Sequence, residues 1–242
     1  MALREDYVRY GQLLFKYRSY VPLVLIPFYL IVLYIKRYTL TNFTNDYDWT
    51  MLCFLISFLG IIIRSIAVGY AAPNTSGRNV VKQKADSLNT TGIYSIVRHP
   101  LYLGNSLIWL GISMRLHMFW VSLSVMLFFW MYYEKIMFTE EEYLRAKFGK
   151  VYEDWANSIP TLLPNFKKWK KNTNPFSFKK VLRQENDGVY ALIVILFFIE
   201  LSADYFHDFD INISLFWIYI ISVFTFLYLL VKLLKKQTKL LK

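Results

Sequence analysis

Cys53 is the single cysteine in 242 residues. The chain therefore forms no internal disulfide and no cysteine-based metal site of the usual kinds. Histidine is nearly as scarce. His99, His117 and His207 fall on different segments, which argues against a histidine-cluster metal site. The nine glycines are never two apart, so there is no G-x-G loop to cradle a phosphate or a dinucleotide. No G-x-S-x-G nucleophile elbow is present, and no internal repeat or low-complexity tract interrupts the chain. Acidic residues are the minority charge: 17 Asp and Glu face 28 Lys and Arg, a net charge of +11.

What is there is apolar. Hydrophobic residues make up 56% of the chain, and 20 Phe and 19 Tyr bring aromatics to 19%. Soluble domains average about 45–50% apolar, so the composition suits a small multi-spanning membrane protein. A basic excess alone is compatible with nucleic acid. Here the cations lie beside apolar runs, the pattern of topology signals and anionic lipid headgroups, and no nucleic-acid partner is expected. The opening residues, MALREDYVRYGQLLFKYRSY, are too charged and too aromatic for a cleaved signal peptide.

A bilayer-crossing helix needs about 20 mostly apolar residues. Six stretches qualify as candidates: 20–35, 49–70, 101–114, 119–138, 188–203 and 211–234. The third and fourth are joined by the short Arg115-Leu116-His117 and read as a tight hairpin. Lys and Arg set the orientation. Residues 1–19 carry Arg4, Arg9, Lys16 and Arg18, and the second connection carries Arg78, Lys82, Lys84 and Arg98. Ten more lie between Thr139 and Asp187, and five from Lys232 onward. All fall on one side if both termini are cytoplasmic. The expected fold is all-α: a polytopic membrane protein of about six transmembrane helices plus an amphipathic helix on the cytoplasmic face. Three parts follow: 1–87, with two helices and a loop; 88–165, with the polar motifs; and 166–242, with a basic linker and two more helices.

Two polar clusters meet on the cytoplasmic side. In the first, Arg98-His99-Pro100, proline suits the first turn of a helix and pushes the residue before it out of helical conformation. A plain helix start with an interfacial arginine explains this much. Tyr102 and Gly104 extend the polar edge, and Gly104 allows close approach to the backbone. In the second, Glu140, Glu141 and Glu142 follow Thr139, and Thr-x-x-Glu is a capping-box pattern. The plain reading is a capped surface helix with Leu144, Phe148, Val151 and Trp155 as its apolar stripe. Three adjacent carboxylates beside an anionic membrane favour a cationic ligand instead. Arg64 lies inside the second span, at a cost of about 2.5–3.5 kcal/mol at mid-membrane, and either snorkels or faces a cavity. Arg115 reads as an interface anchor, and Glu200 has no evident partner in the sequence.

From about Leu88 to Pro164 the chain resembles the isoprenylcysteine carboxyl methyltransferases, integral membrane enzymes whose pattern is shared in part by phospholipid methyltransferases. The family reads, loosely, LVTxGxYxxxRHPxYxG, a helical hairpin, then EExxLxxxFGxxYxxYxxxVPxxxP. This sequence has LNTTGIYSIVRHPLYLG and EEEYLRAKFGKVYEDWANSIPTLLP, with Trp155 in place of the second tyrosine. The resemblance implies a methyltransferase that uses S-adenosylmethionine, bound at the cytosolic face without a Rossmann fold. It carries cofactor contacts to Leu88, Tyr94, His99, Pro100, Leu101, Tyr102 and Glu140. The residue chemistry adds Gly104 and Glu141. The methyl acceptor is then a lipid or lipidated molecule from the bilayer. An acidic acceptor needs a cation to place it, and Arg98, Arg64 and Arg145 are candidates. An amine acceptor, as in phospholipid N-methylation, needs a proton acceptor. A nicotinamide-dependent lipid or sterol reductase on a similar scaffold is a further alternative. One departure stands out: prenylcysteine-type members carry a substrate-binding arginine one turn before the glutamate pair, where this chain has Ile136 beside Lys135.

Overall fold

The structure is a computed structural model that describes residues 3–37, 47–73, 75, 85–209 and 213–237. Arg78, Lys82, Lys84, Asp210, Ile211, Lys239 and Lys242 lie outside the described residues. Among the described residues eight α-helices follow in order: α1 Leu3–Tyr17, α2 Leu25–Lys36, α3 Tyr47–Tyr70, α4 Pro100–Met114, α5 Phe119–Phe148, α6 Lys150–Ser158, α7 Phe178–Asp208 and α8 Leu215–Gln237. The fold is all-α, and the chain is a polytopic membrane protein.

Four of these helices, α3, α5, α7 and α8, are long and apolar enough to cross a membrane. The pair formed by α1 and Val21–Lys36, bent by 83°, makes a fifth span if counted as one. The expected count of six is therefore not reproduced. The difference lies in the third expected span. Helix α4 has 15 residues, about 22 Å at 1.5 Å per residue, short of a hydrocarbon core of about 30 Å.

Helix α5 is also unlike its expectation. It runs unbroken for 30 residues with no glycine or proline. Thr139 therefore lies mid-helix, and its hydroxyl donates to the Lys135 carbonyl at 2.9 Å instead of capping a helix start. The helix stops only at Gly149, whose φ of +56° suits glycine and whose N–H closes on the Arg145 carbonyl. The short helix beyond, α6, turns Tyr152 and Ala156 inward and leaves Val151 69% exposed. The expected stripe through Val151 and Trp155 is displaced accordingly.

The hairpin of α4 and α5 is as expected, and aromatic rings line its seam. Trp109 stacks on Phe129 at 5.1 Å, Phe129 on Tyr133 at 5.2 Å, and Tyr133 meets Tyr102 at 4.9 Å. Helix α3 crosses α4 at very short range. A Cβ on Gly104 would come within 2.7 Å of the Gly60 carbonyl, and one on Gly111 within 2.2 Å of Ser57 Oγ. Small residues at such a crossing are how membrane helices gain contact without a hydrophobic drive between them. Helix α7 packs on α3 and α2, and α8 joins through Tyr190 stacked on Tyr228 at 4.3 Å. No residue of α8 is buried, and Phe216, Tyr219, Phe226 and Leu230 face outward.

Candidate active site

The N-terminal end of α4 carries the site. Pro100 opens the helix, and His99, at φ −120°, lies just outside it. The stretch before the helix is strapped by a later piece of chain. The Arg98 N–H donates to the Pro160 carbonyl at 2.9 Å, and the His99 N–H to Thr161 at 3.2 Å. The Asn165 N–H returns a bond to Ile96 at 2.9 Å, and Gly92 bridges to Lys170. The amides of Arg98 and His99 are thus already occupied. The first helical bond runs from Leu103 to His99, so the amides ahead of the helical ladder are those of Leu101 and Tyr102.

Three adjacent glutamates point three ways, as successive positions on a helix must. Glu142 pairs with Arg4 of α1 and with Arg145. Glu141 accepts from His99 Nε2 at 2.9 Å and from Arg98 Nη1 at 3.2 Å. Arg98 also donates to the Thr161 hydroxyl. Glu140 accepts the Tyr102 hydroxyl at 2.9 Å on one oxygen, while the other lies 3.8 Å from His99 Nδ1. The repulsion expected of three carboxylates is therefore largely answered inside the protein. Glu140 is the one that faces open space.

That space is a cavity of about 820 Å³. Leu88, Tyr94, Arg98, His99, Pro100, Leu101, Tyr102, Glu140 and Arg64 all line it. Gly104, Glu141 and Arg145 do not. Gly104 serves the helix crossing, where its added Cβ would meet Arg64 Cγ at 2.6 Å. Glu141 holds His99 and Arg98 from behind, and Arg145 bonds Glu142 and Glu153 on the outer surface. Leu88 is brought in by a segment anchored where the Lys147 ammonium meets the Ala85 carbonyl. Burial first, and the Glu140 charge second, push the Tyr94 phenol above its ordinary range, so it stays a neutral donor with an aromatic face.

Sequence reasoning missed Arg18, Tyr133 and Tyr143 as lining residues, and it left open whether Arg64 snorkels or faces a cavity. Arg64 does not snorkel: its guanidinium grips the Glu185 carboxylate at 2.7 and 2.9 Å and Asn105 Oδ1 at 2.5 Å. Arg18, Tyr133, Tyr143 and Trp155 complete the wall. The only signal for the Arg64–Glu185 pair was an arginine inside an apolar run, which needs a partner somewhere. Arg115 and Glu200, read separately as an anchor and an orphan, bond each other at 2.7 Å. Among the described residues no group of three or more His, Cys, Asp or Glu forms a metal site.

Comparison with known proteins shows what the chain is similar to. The family model for phospholipid methyltransferases matches residues 49–151. That stretch is similar to the phospholipid methyltransferases. It runs from α3 to the start of α6 and holds the Arg98–His99–Glu141 cluster, Tyr102 and Glu140. The chain is 36% identical over 127 residues to a protein-S-isoprenylcysteine O-methyltransferase of Schizosaccharomyces pombe, covering 52% of this chain and 53% of that protein. A Saccharomyces cerevisiae protein of the same name is 33% identical over 120 residues, 48% of each chain. The cobalt-zinc-cadmium resistance protein CzcN of Cupriavidus metallidurans is 28% identical over 165 residues, 67% of this chain and 73% of its own. The chain spans about half the length of the isoprenylcysteine methyltransferase relatives it matches. No solved structure matches.

Proposed function

We propose that this protein is a membrane methyltransferase that uses S-adenosylmethionine and methylates an acidic oxygen on a lipid-borne acceptor, foremost the carboxylate of a lipidated cysteine. The observation that carries the reading is Glu140. It is a carboxylate aimed into a cavity at a helix start, with one oxygen held by Tyr102 and its neighbours Glu141 and Glu142 already paired.

The donor set fits the cofactor. Glu140 and the Tyr94 and Tyr102 rings offer anionic and π-face partners for a cation, the latter worth about 0.5–2 kcal/mol. His99, Pro100, Leu101 and Leu88 would hold the rest. When bound, the cofactor supplies an electrophilic methyl group on a sulfonium centre. The chain's own task is placement: a cation in the wall turns the acceptor oxygen toward the methyl, and the apolar lining keeps water out. An ionised carboxylate needs no base. The names of the relatives favour this acceptor over an amine, and none points to a nicotinamide-linked reductase. The excess of Lys and Arg on the His99 side supports a cytoplasmic site with both termini on that side. Anionic headgroups are natural neighbours of those cations.

Calorimetric titration of S-adenosylmethionine into the full chain in nanodiscs tests this. Wild type is expected to bind, and Glu140→Gln and His99→Ala to bind about ten- to a hundredfold more weakly, the loss of a hydrogen bond to a charged group. Wild type that binds no cofactor, with or without the acceptor present, refutes the proposal.

A further inference from the structure

Three arginines line the cavity, and their surroundings differ. Arg64 is fully committed to Glu185 and Asn105. Arg98 is held by Glu141 and Thr161. Arg18 has neither arrangement. It lies at the elbow where the chain leaves α1 and turns by 83° toward α2. Its guanidinium carbon sits 4.1 Å from the centre of the Phe15 ring. Its Nη1 is shut off from solvent and has no hydrogen-bond partner among the described residues. No salt bridge involving it is formed among them.

The packing of α1 on α5 sets its place. The two run antiparallel: Arg4 meets Glu142, the Tyr7 ring lies 5.6 Å from Phe138, and Gly11 sits on Thr139 and Lys135. A Cβ on Gly11 would fall 1.9 Å from the Thr139 hydroxyl, so any larger residue there shifts the register. Helix α1 ends at Tyr17, and Arg18 follows it into the cavity wall, where its charge acts on Tyr132, Tyr102 and Glu140. Glu140 lies within reach of its charge but forms no salt bridge with it, and a half-buried guanidinium with an unbonded N–H gains from an anion that accepts from it.

We infer that Arg18 is the residue that seats the anionic group of the acceptor, and so selects acidic over neutral acceptors. The inference rests on the methyltransferase reading above. Glu140 marks the end of the cavity suited to the cationic cofactor. Arg18, on the α1 side of the same cavity, offers a cation against which the anionic head of a bilayer-anchored acceptor sets itself beside the cofactor's methyl. Ile136, buried on α5, offers no charge. The cation comes instead from α1.

The test uses the full chain in nanodiscs with two probes, N-acetyl-S-farnesylcysteine and its neutral primary amide. Cofactor affinity is measured by calorimetry, acid turnover by methyl ester release, and amide binding by competition against the acid. For Arg18→Gln the expected result is a KM for the acid raised about tenfold or more, with cofactor affinity and amide competition unchanged. Arg18→Lys is expected to recover part of the loss, since it restores charge without the planar fork. Unchanged acid KM in Arg18→Gln overturns the inference. So does an equal loss of cofactor affinity, which would assign Arg18 to the cofactor. Wild type that binds cofactor but methylates no acid overturns the acceptor reading and this inference with it. A wild type that methylates the acid as well as Arg18→Gln does overturns only the role of Arg18.

Discussion

Helix α7 carries two buried arginine–glutamate pairs, 15 residues or about 22 Å apart. Glu185 binds Arg64 of α3, and Glu200 binds Arg115 at the turn between α4 and α5. The bond lengths match at 2.7 Å, yet the surroundings do not. Arg115 is 3% exposed and sits among Ser113, Leu116 and Val121, all sealed. Arg64 is 21% exposed and borders the cavity. One pair only fastens the hairpin turn to α7. The other fastens α3 to α7 and also forms the wall of a site. The same two side chains thus serve different ends, and what separates them is the space beside the pair.

Breaking the sealed pair is expected to cost most. Arg115→Met leaves Glu200 without its cation and should destabilise the fold by about 3–5 kcal/mol, read as a fall in the thermal midpoint in nanodiscs. The double variant Arg115→Met with Glu200→Met should recover most of it, with turnover per folded molecule unchanged. A silent single variant would show that the pair fastens nothing. The cavity pair sharpens the contrast. Arg64→Met with Glu185→Met should likewise keep its midpoint, but its kcat/KM should fall by about tenfold to a hundredfold, the scale of lost charged hydrogen bonds. Full activity there would make both pairs purely structural. The smallest expected effect is at Gly104. Gly104→Ala forces a methyl against Arg64 Cγ and the Gly60 carbonyl, costing about 1–3 kcal/mol by overpacking. Its thermal midpoint and cofactor affinity, measured together, show whether strain at the crossing reaches the cavity.

The part of the site that was legible in the sequence is the part written locally. Pro100 fixes the helix start, and the spacing from His99 to Tyr102 sets one turn beside Glu140 and Glu141, which the short hairpin brings back. What was not legible depends on where chain segments meet. Glu185 lies 121 positions from Arg64, and nothing near either names the other. The duties of the three glutamates follow from helix phase once α5 is known to be continuous. The capping-box pattern at Thr139 suggested a break there. It misled because a capping threonine and a mid-helix threonine differ only in the conformation of the residues before it, and 20 helical residues precede Thr139. Arg18 gave no signal beyond charge, since its role comes from an elbow in the backbone.

The strap across the start of α4 has a consequence for synthesis. Arg98 and His99 find the acceptors of their amides at Pro160 and Thr161, and Gly92 meets Lys170. On a ribosome adding about 5–20 residues each second, Lys170 follows Arg98 by some 4–14 seconds. For the last 22 residues of that interval, about 1–4 seconds, the hairpin of α4 and α5 is complete in sequence, but the rim of the site still lacks part of its strap. The site is therefore among the later parts of the molecule to close, and a pause in translation between Pro100 and Lys170 lengthens the time it stands open.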